Sequence, residues 1–204
     1  TTILEGGAVV KFTYVSTANR LLISGPIDCQ TSPYRPAFFT AKDDDTVGET
    51  IAGSTGSPGT NRYAGRALEL NSVSTTYDLH DLCIRYADRG ISALSSTAAG
   101  LNLSDSKIGY ANNAIYTGLT NFVGRNLMIF DSLYSFFSSI GSISRVEHAT
   151  FHRVGTLRSG GTVYLTNSLV ISVTNGVVYT GSGVWENLSD AGVFQTVGAA
   201  THYL

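Results

Sequence analysis

The run Lys42-Asp43-Asp44-Asp45-Thr46-Val47-Gly48-Glu49 sets three adjacent carboxylates and a fourth close by. Adjacent carboxylates repel, so they need a partner. Calcium takes about six to eight oxygen ligands, which one loop can supply from carboxylates and backbone carbonyls. The sequence therefore predicts Asp43, Asp44, Asp45 and Glu49 as a calcium site, with Gly48 permitting the turn. The spacing is not that of an EF-hand. A solvated Asx turn is the simpler reading of the same residues. Use as a paired general acid and base is disfavoured. Neighbouring residues on a strand point to opposite faces, whereas a glycosidic pair must face one bond from about 5–10 Å apart.

Other chemistry-bearing residues are scattered. His148 and His152 are four apart in EHATFHR. On a strand that spacing is about 13 Å, too far for one zinc ion, so both read as surface or corner histidines. His80 and His202 show no partner in sequence. Asp81, Arg85, Asp88 and Arg89, with Asp105 and Lys107 further on, are the one stretch where a wall cluster of acids and bases could form. Cys29 and Cys83 are the only cysteines, too few for a disulfide framework. They read as small buried side chains or as one bridge. No phosphate-binding glycine loop, CxxC or contiguous serine-triad motif is present.

The elements that must hold these residues are short and extended. Of 204 residues, 43% are hydrophobic but only 14% are charged, and Lys11, Lys42 and Lys107 are the only lysines. Ser, Thr, Asn and 22 glycines carry the polarity, a balance that suits an extracellular β-rich protein. The net charge of −2 gives no basic footprint for nucleic acid. No apolar run reaches the roughly 18 residues of a membrane span. The chain opens directly in a strand-like run, which reads as a piece of a longer secreted chain. Helical periodicity is weak, while β-type runs of three to five residues recur throughout, as in AVVKF, RLLIS, AFFT, LCIRY, LMIF and SLVIS.

These runs repeat. Tyr86, Tyr110, Phe130, Phe151 and Ile171 end successive strands at spacings of 24, 20, 21 and 20. The bend residues Gly90, Ala114, Tyr134, Gly155 and Gly176 follow at 24, 20, 21 and 21. A steady period of this size with very short strands is the signature of a solenoid. The aromatic markers are then expected as one internal stack, with Phe136, Phe137, Tyr164, Tyr179 and Trp185 as candidates for outward platforms. The leucine-rich repeat pattern is missing, and a β-sandwich would not need a constant period.

The first quarter of the chain carries a resemblance. TTILEGGAVVKF, RLLISGPIDC and PAFFTAKDDDTVGE resemble successive coils of secreted bacterial right-handed parallel β-helix proteins of the pectate-lyase-like kind. The matching positions are Ile3, Gly6, Val9, Val10, Lys11 and Phe12, then Leu22 and Gly25, then Pro36, Phe39, Thr40, Asp44, Asp45 and Gly48. The resemblance implies an all-β, right-handed parallel β-helix. Residues 1–204 would form one domain of about eight or nine coils of about 21–24 residues. Residues 52–66, AGSTGSPGTNRYAGR, are too polar and glycine-rich for a coil and are expected to leave the wall as a loop, a candidate contact surface. This fold hosts lyases, hydrolases, adhesins and structural segments alike. The expected function is a non-catalytic structural or adhesive module, extracellular or on a cell surface. Its expected partners are polysaccharide, other surface proteins, or a second copy stacked end to end. A polysaccharide lyase or hydrolase and a carbohydrate-binding module are the alternatives.

Overall fold

The computed structural model describes residues 1–13, 18–59, 62–175, 178–197 and 200–203. Among the described residues there is no helix. Apart from a last antiparallel pair, Gln195–Val197 with Ala200–Tyr203, the strands stack in parallel as a β-solenoid of about seven turns. This confirms the fold class and corrects the coil count. The shortfall has a local cause: the chain leaves the wall after Ala37–Ala41 and resumes in strand at Ala64–His80, a detour as long as a coil.

Each full coil crosses three walls. The first is made by Val9–Phe12, Ala37–Ala41, Leu82–Arg85, then 106–109, 127–130 and 150–152, then Leu169–Ile171 and Trp185–Asn187. The second runs from Arg20–Ile23 through 66–70, 89–93, Asn113–Thr117 and 134–138 to 156–159. The third takes 76–80, 100–104, 122–125, Ile143–Glu147, Thr162–Thr166 and Thr180–Ser182. A small parallel pair, Thr2–Glu5 with Ile27–Gln30, lies beside the first coils.

Side chains alternate in and out along a strand, and register stacks like on like. Ile84, Ile108, Ile129, Phe151 and Val170 form one inner row on the first wall, and all five are buried. Ile91, Ile115 and Phe136 form another on the second.

The corners are set by left-handed residues. Asp81, Asp105, Asn126, His148 and Asn167 open the first-wall strands with φ of 48–54°. Tyr86, Tyr110, Asp131, Arg153 and Ser172 close them with φ of 46–60°. Each pair is five residues apart, so five successive first-wall strands have the same length between two fixed bends. Asp, Asn and His tolerate this region better than most residues, which accounts for the opening corner. The tyrosine and arginine at the closing corner hold it against their own preference.

A buried serine follows three of these bends. Ser106 Oγ donates to the Ser104 carbonyl at 2.6 Å and accepts from the Leu82 N–H at 3.0 Å. Ser132 does the same between the Phe130 carbonyl and the Ala111 N–H, and Ser168 between the Thr166 carbonyl and the Ala149 N–H. The hydroxyl thus satisfies one group of its own coil and one of the coil before it.

The aromatic markers do not form one internal stack. Tyr86 and Tyr110 are true equivalents, with rings stacked at 5.0 Å, but both sit at the outer corner. Phe130 pairs with His152, one residue beyond Phe151. Phe130 therefore lies on the outer side, edge-on to Tyr110 at 5.5 Å, while Phe151 is inside. The bend markers slip likewise: Tyr134 pairs with Asn113, and Gly155 precedes its equivalent Thr156. Gly176 lies outside the described residues.

Candidate functional site

The aspartate run sits where the chain leaves the first wall. Lys11 and Thr40 are register partners, and Arg85 follows Ile84, the partner of Phe39, on the third coil, so the three side chains share the outer face. All three meet Asp44. Thr40 Oγ1 donates to Asp44 Oδ2 at 2.5 Å, and Arg85 Nη1 lies 4.0 Å from the same oxygen. Thr46 donates twice to Asp44 Oδ1, from Oγ1 at 2.5 Å and from its N–H at 3.1 Å. Lys11 Nζ donates to the backbone carbonyls of Asp44 at 2.8 Å and Glu49 at 2.7 Å.

Asp43 closes the other side of the loop. Its Oδ2 accepts from the Tyr63 hydroxyl at 2.6 Å, and its Oδ1 from the Thr55 N–H at 2.9 Å. Lys42 Nζ lies 3.3 Å from Oδ1 and donates to the Gly53 carbonyl at 2.7 Å. Asp45 is exposed and accepts from Ser54 Oγ at 2.9 Å. The loop thus begins at 42, ten residues before the 52–66 excursion read from sequence, and residues 64–66 are already strand.

Electrostatics follow from these partners. The Tyr63 hydroxyl, then the Thr55 amide and Lys42, hold the Asp43 carboxyl below the usual carboxylate range. Burial pushes Asp44 up, but the bonds from Thr40 and Thr46 and the charge of Arg85 outweigh it, and the net shift is downward. Both groups are therefore carboxylates at neutral pH.

The predicted calcium ligands do not converge. Asp43 and Asp44 turn their oxygens to different donors, and Glu49 contributes its backbone carbonyl, to a lysine. Among the described residues no group of three or more His, Cys, Asp and Glu side chains could hold a metal ion. The Lys11 ammonium already gathers two of the carbonyls that a cation would need. The donor set fits hydrogen bonding and fits calcium poorly. A chelator is accordingly expected to leave the melting temperature within about 1 °C of its starting value; a larger drop, restored by calcium, would assign the loop to the ion.

The other candidates disperse in part. Asp88 accepts from Asn112 Nδ2 at 2.7 Å, Asp105 accepts from Asn126 Nδ2 at 2.7 Å, and Arg89 lies 3.7 Å over the Tyr116 ring. Asp88 and Arg89 thus stand apart from the rest, while Asp81, Arg85 and Lys107 gather around the Cys83 thiol, whose pKa burial pushes up. Cys29 and Cys83 are free thiols, both half-buried. Of the outward platforms, Phe136 is fully inside, Phe137 is stacked on Tyr116 at 5.2 Å, and Tyr164 and Trp185 are exposed.

A comparison with protein-family models, with curated proteins and with solved structures finds no match.

Two histidines depart from the sequence reading. His148 is a corner residue as expected. His152 is buried, with Nε2 at 3.0 Å from Asp190 Oδ2 and its ring 4.5 Å from that of Phe194. The late segment 190–194 therefore covers the outer side of the first wall. His80 has partners after all. Its Nδ1 lies 2.9 Å from Asp81 Oδ2 and 3.1 Å from Thr31 Oγ1, while the Thr31 hydroxyl donates to the His80 carbonyl at 2.6 Å. His202 has no described side chain. No sequence signal links Thr31 to His80; stacking alone brings them together.

Proposed function

We propose that this chain is a rigid structural and adhesive module of a secreted or cell-surface protein, of the bacterial parallel β-helix kind. The observation that carries the reading is how the wall carboxylates are used. Asp78 pairs with Asn102, Asp88 with Asn112, Asp105 with Asn126, Asp131 with Arg153 and Glu147 with Arg125. Each bond joins residues 21–24 apart in sequence, one coil to the next. A hydrolase needs carboxylates free to face a scissile bond. Here they tie neighbouring coils together.

Aromatic contacts follow the same logic, as Tyr86 on Tyr110 and Tyr116 on Phe137 join successive coils. An array in which each coil binds only its neighbours is stiff along its axis and presents broad lateral walls, which suits a spacer that also makes contacts.

The test is turnover on a panel of acidic and neutral polysaccharides, with calcium and with a chelator. The expected result is no release of reducing or unsaturated ends while the protein remains folded by circular dichroism. Release from any substrate would replace this reading with the lyase or hydrolase.

A further inference from the structure

The third wall carries a shallow groove of about 340 Å³. Its floor is a grid built by register. Asp78 and His80 project from one strand, Asn102 and Ser104 from the next, and Val123 and Arg125 from the third. Residues two apart on a strand share a face, and adjacent strands lie about 4.8 Å apart. The grid therefore spans roughly 10 Å across three coils, on the order of two hexose rings.

Four of the polar side chains are held before any ligand arrives. Asn102 Nδ2 donates to Asp78 Oδ1 at 2.5 Å, and Arg125 is paired with Glu147. His80 is the most constrained. The Thr31 hydroxyl spends its proton on the His80 carbonyl, so it can only accept from Nδ1, as can Asp81. Nδ1 is thereby the ring's donor to both, and the imidazole is held at the groove lining. Cys29 completes the support, with Sγ 3.2 Å from Thr31 Oγ1. Prior fixing of this kind lowers the ordering cost of binding.

Charge and polarity define the ligand. Asp78 and Asp105 line the groove, Asp81 stands behind His80, Arg125 is answered by Glu147, and Arg145, beside Val123 on the next strand, lies over the Tyr164 ring. The surplus is negative, so an acidic polymer is repelled. Val123 lies among the polar groups and is 40% exposed, an apolar spot for the C–H face of a ring. We infer that this groove binds an uncharged, hydroxyl-rich glycan across three coils. His80 and Asn102 would hydrogen-bond its hydroxyls, and Val123 would contact ring carbons. The inference rests on the adhesive reading above and gives it a site and a ligand class.

The test titrates the folded protein by calorimetry with cellohexaose, xylohexaose and mannohexaose, and with polygalacturonate as the acidic comparison. At least one neutral hexasaccharide is expected to bind, and polygalacturonate is not. Val123→Lys, at an exposed position that should not disturb folding, is expected to weaken binding about tenfold or more with an unchanged melting temperature. His80→Ala is expected to weaken binding as well, with a lowered melting temperature because the ring also bonds Thr31 and the buried Asp81. No binding by any neutral hexasaccharide, binding indifferent to Val123→Lys, or equal binding of polygalacturonate would each overturn the inference. Polysaccharide turnover, read separately, would overturn the structural and adhesive reading instead.

Discussion

Replacing Phe136 by alanine is expected to destabilise the fold by about 3–5 kcal/mol, the range for emptying a buried aromatic site. Phe136 is 0% exposed, with Phe122 at 5.9 Å and Phe151 at 5.8 Å. These rings come from three walls: 122 from the third, 136 from the second and 151 from the first. They meet on the axis and fill the interior of two adjacent coils. A globular core can relax into a cavity from many directions. A solenoid coil has only the coils above and below and the opposite walls, each fixed by ladder hydrogen bonds, so collapse into the space is limited. A loss of this size should lower the melting temperature by about 10 °C for a chain of this length. Phe136→Leu keeps most of the volume and is expected to cost under about 1.5 kcal/mol. Urea denaturation of the two variants checks the pair. A cost below about 1 kcal/mol for the alanine variant would mean that the interior repacks, and that the three-wall contact is not the centre of the core.

Asp44→Ala is the second large effect, expected at about 2–4 kcal/mol because it strands two threonine hydroxyls, an amide and a guanidinium around a buried site. Its pH dependence has a definite sign. Asp43 and Asp44 both have folded-state pKa values below the unfolded one. Their contribution is therefore fully present above the unfolded value of about 3.9 and is lost as pH falls through the folded values. The wild-type loop is expected to release from the wall below about pH 4, exposing 46–59 to an acid protease before the coils unfold. Asp44→Asn can still accept from Thr46, so it should cost less than alanine at pH 7 and show a shallower acid limb. Proteolysis at the loop that is equally fast at pH 7 and pH 3 in the wild type would show that the carboxylates do not hold it.

The solenoid was legible because its period is written in strand residues, but the register was not. Phe130 and Phe151 look equivalent in sequence and are one position apart in the ladder, because coils change length at their corners. A better ruler stood at the opening corner. Asp81, Asp105, Asn126, His148 and Asn167 recur at 24, 21, 22 and 19, and each is a residue type that accepts a left-handed bend. Strand residues report only that a side chain is apolar; the corner residues report where the chain turns. The loop was legible in its glycine-rich half, 52–59, but not in its anchored half, because Asp43 and Asp44 look like solvated charge until Thr40, Tyr63 and Arg85 are brought to them. His80 was half opaque for the same reason: Asp81 is its neighbour in sequence, but Thr31 is 49 residues away and only stacking joins the two.

The serines behind the bends imply an order of assembly. Ser106, Ser132 and Ser168 each accept an N–H that belongs to the preceding coil. Until the next coil arrives, that N–H has no protein partner, and once it arrives the hydroxyl is locked in place. At these three junctions the docked coil thus completes the one before it. Growth of this kind behaves like a zipper with a catch at some of its teeth, in which the outermost tooth is always the loosest. Hydrogen exchange should accordingly be slowest at the amides of Leu82, Ala111 and Ala149 and should quicken coil by coil toward either end.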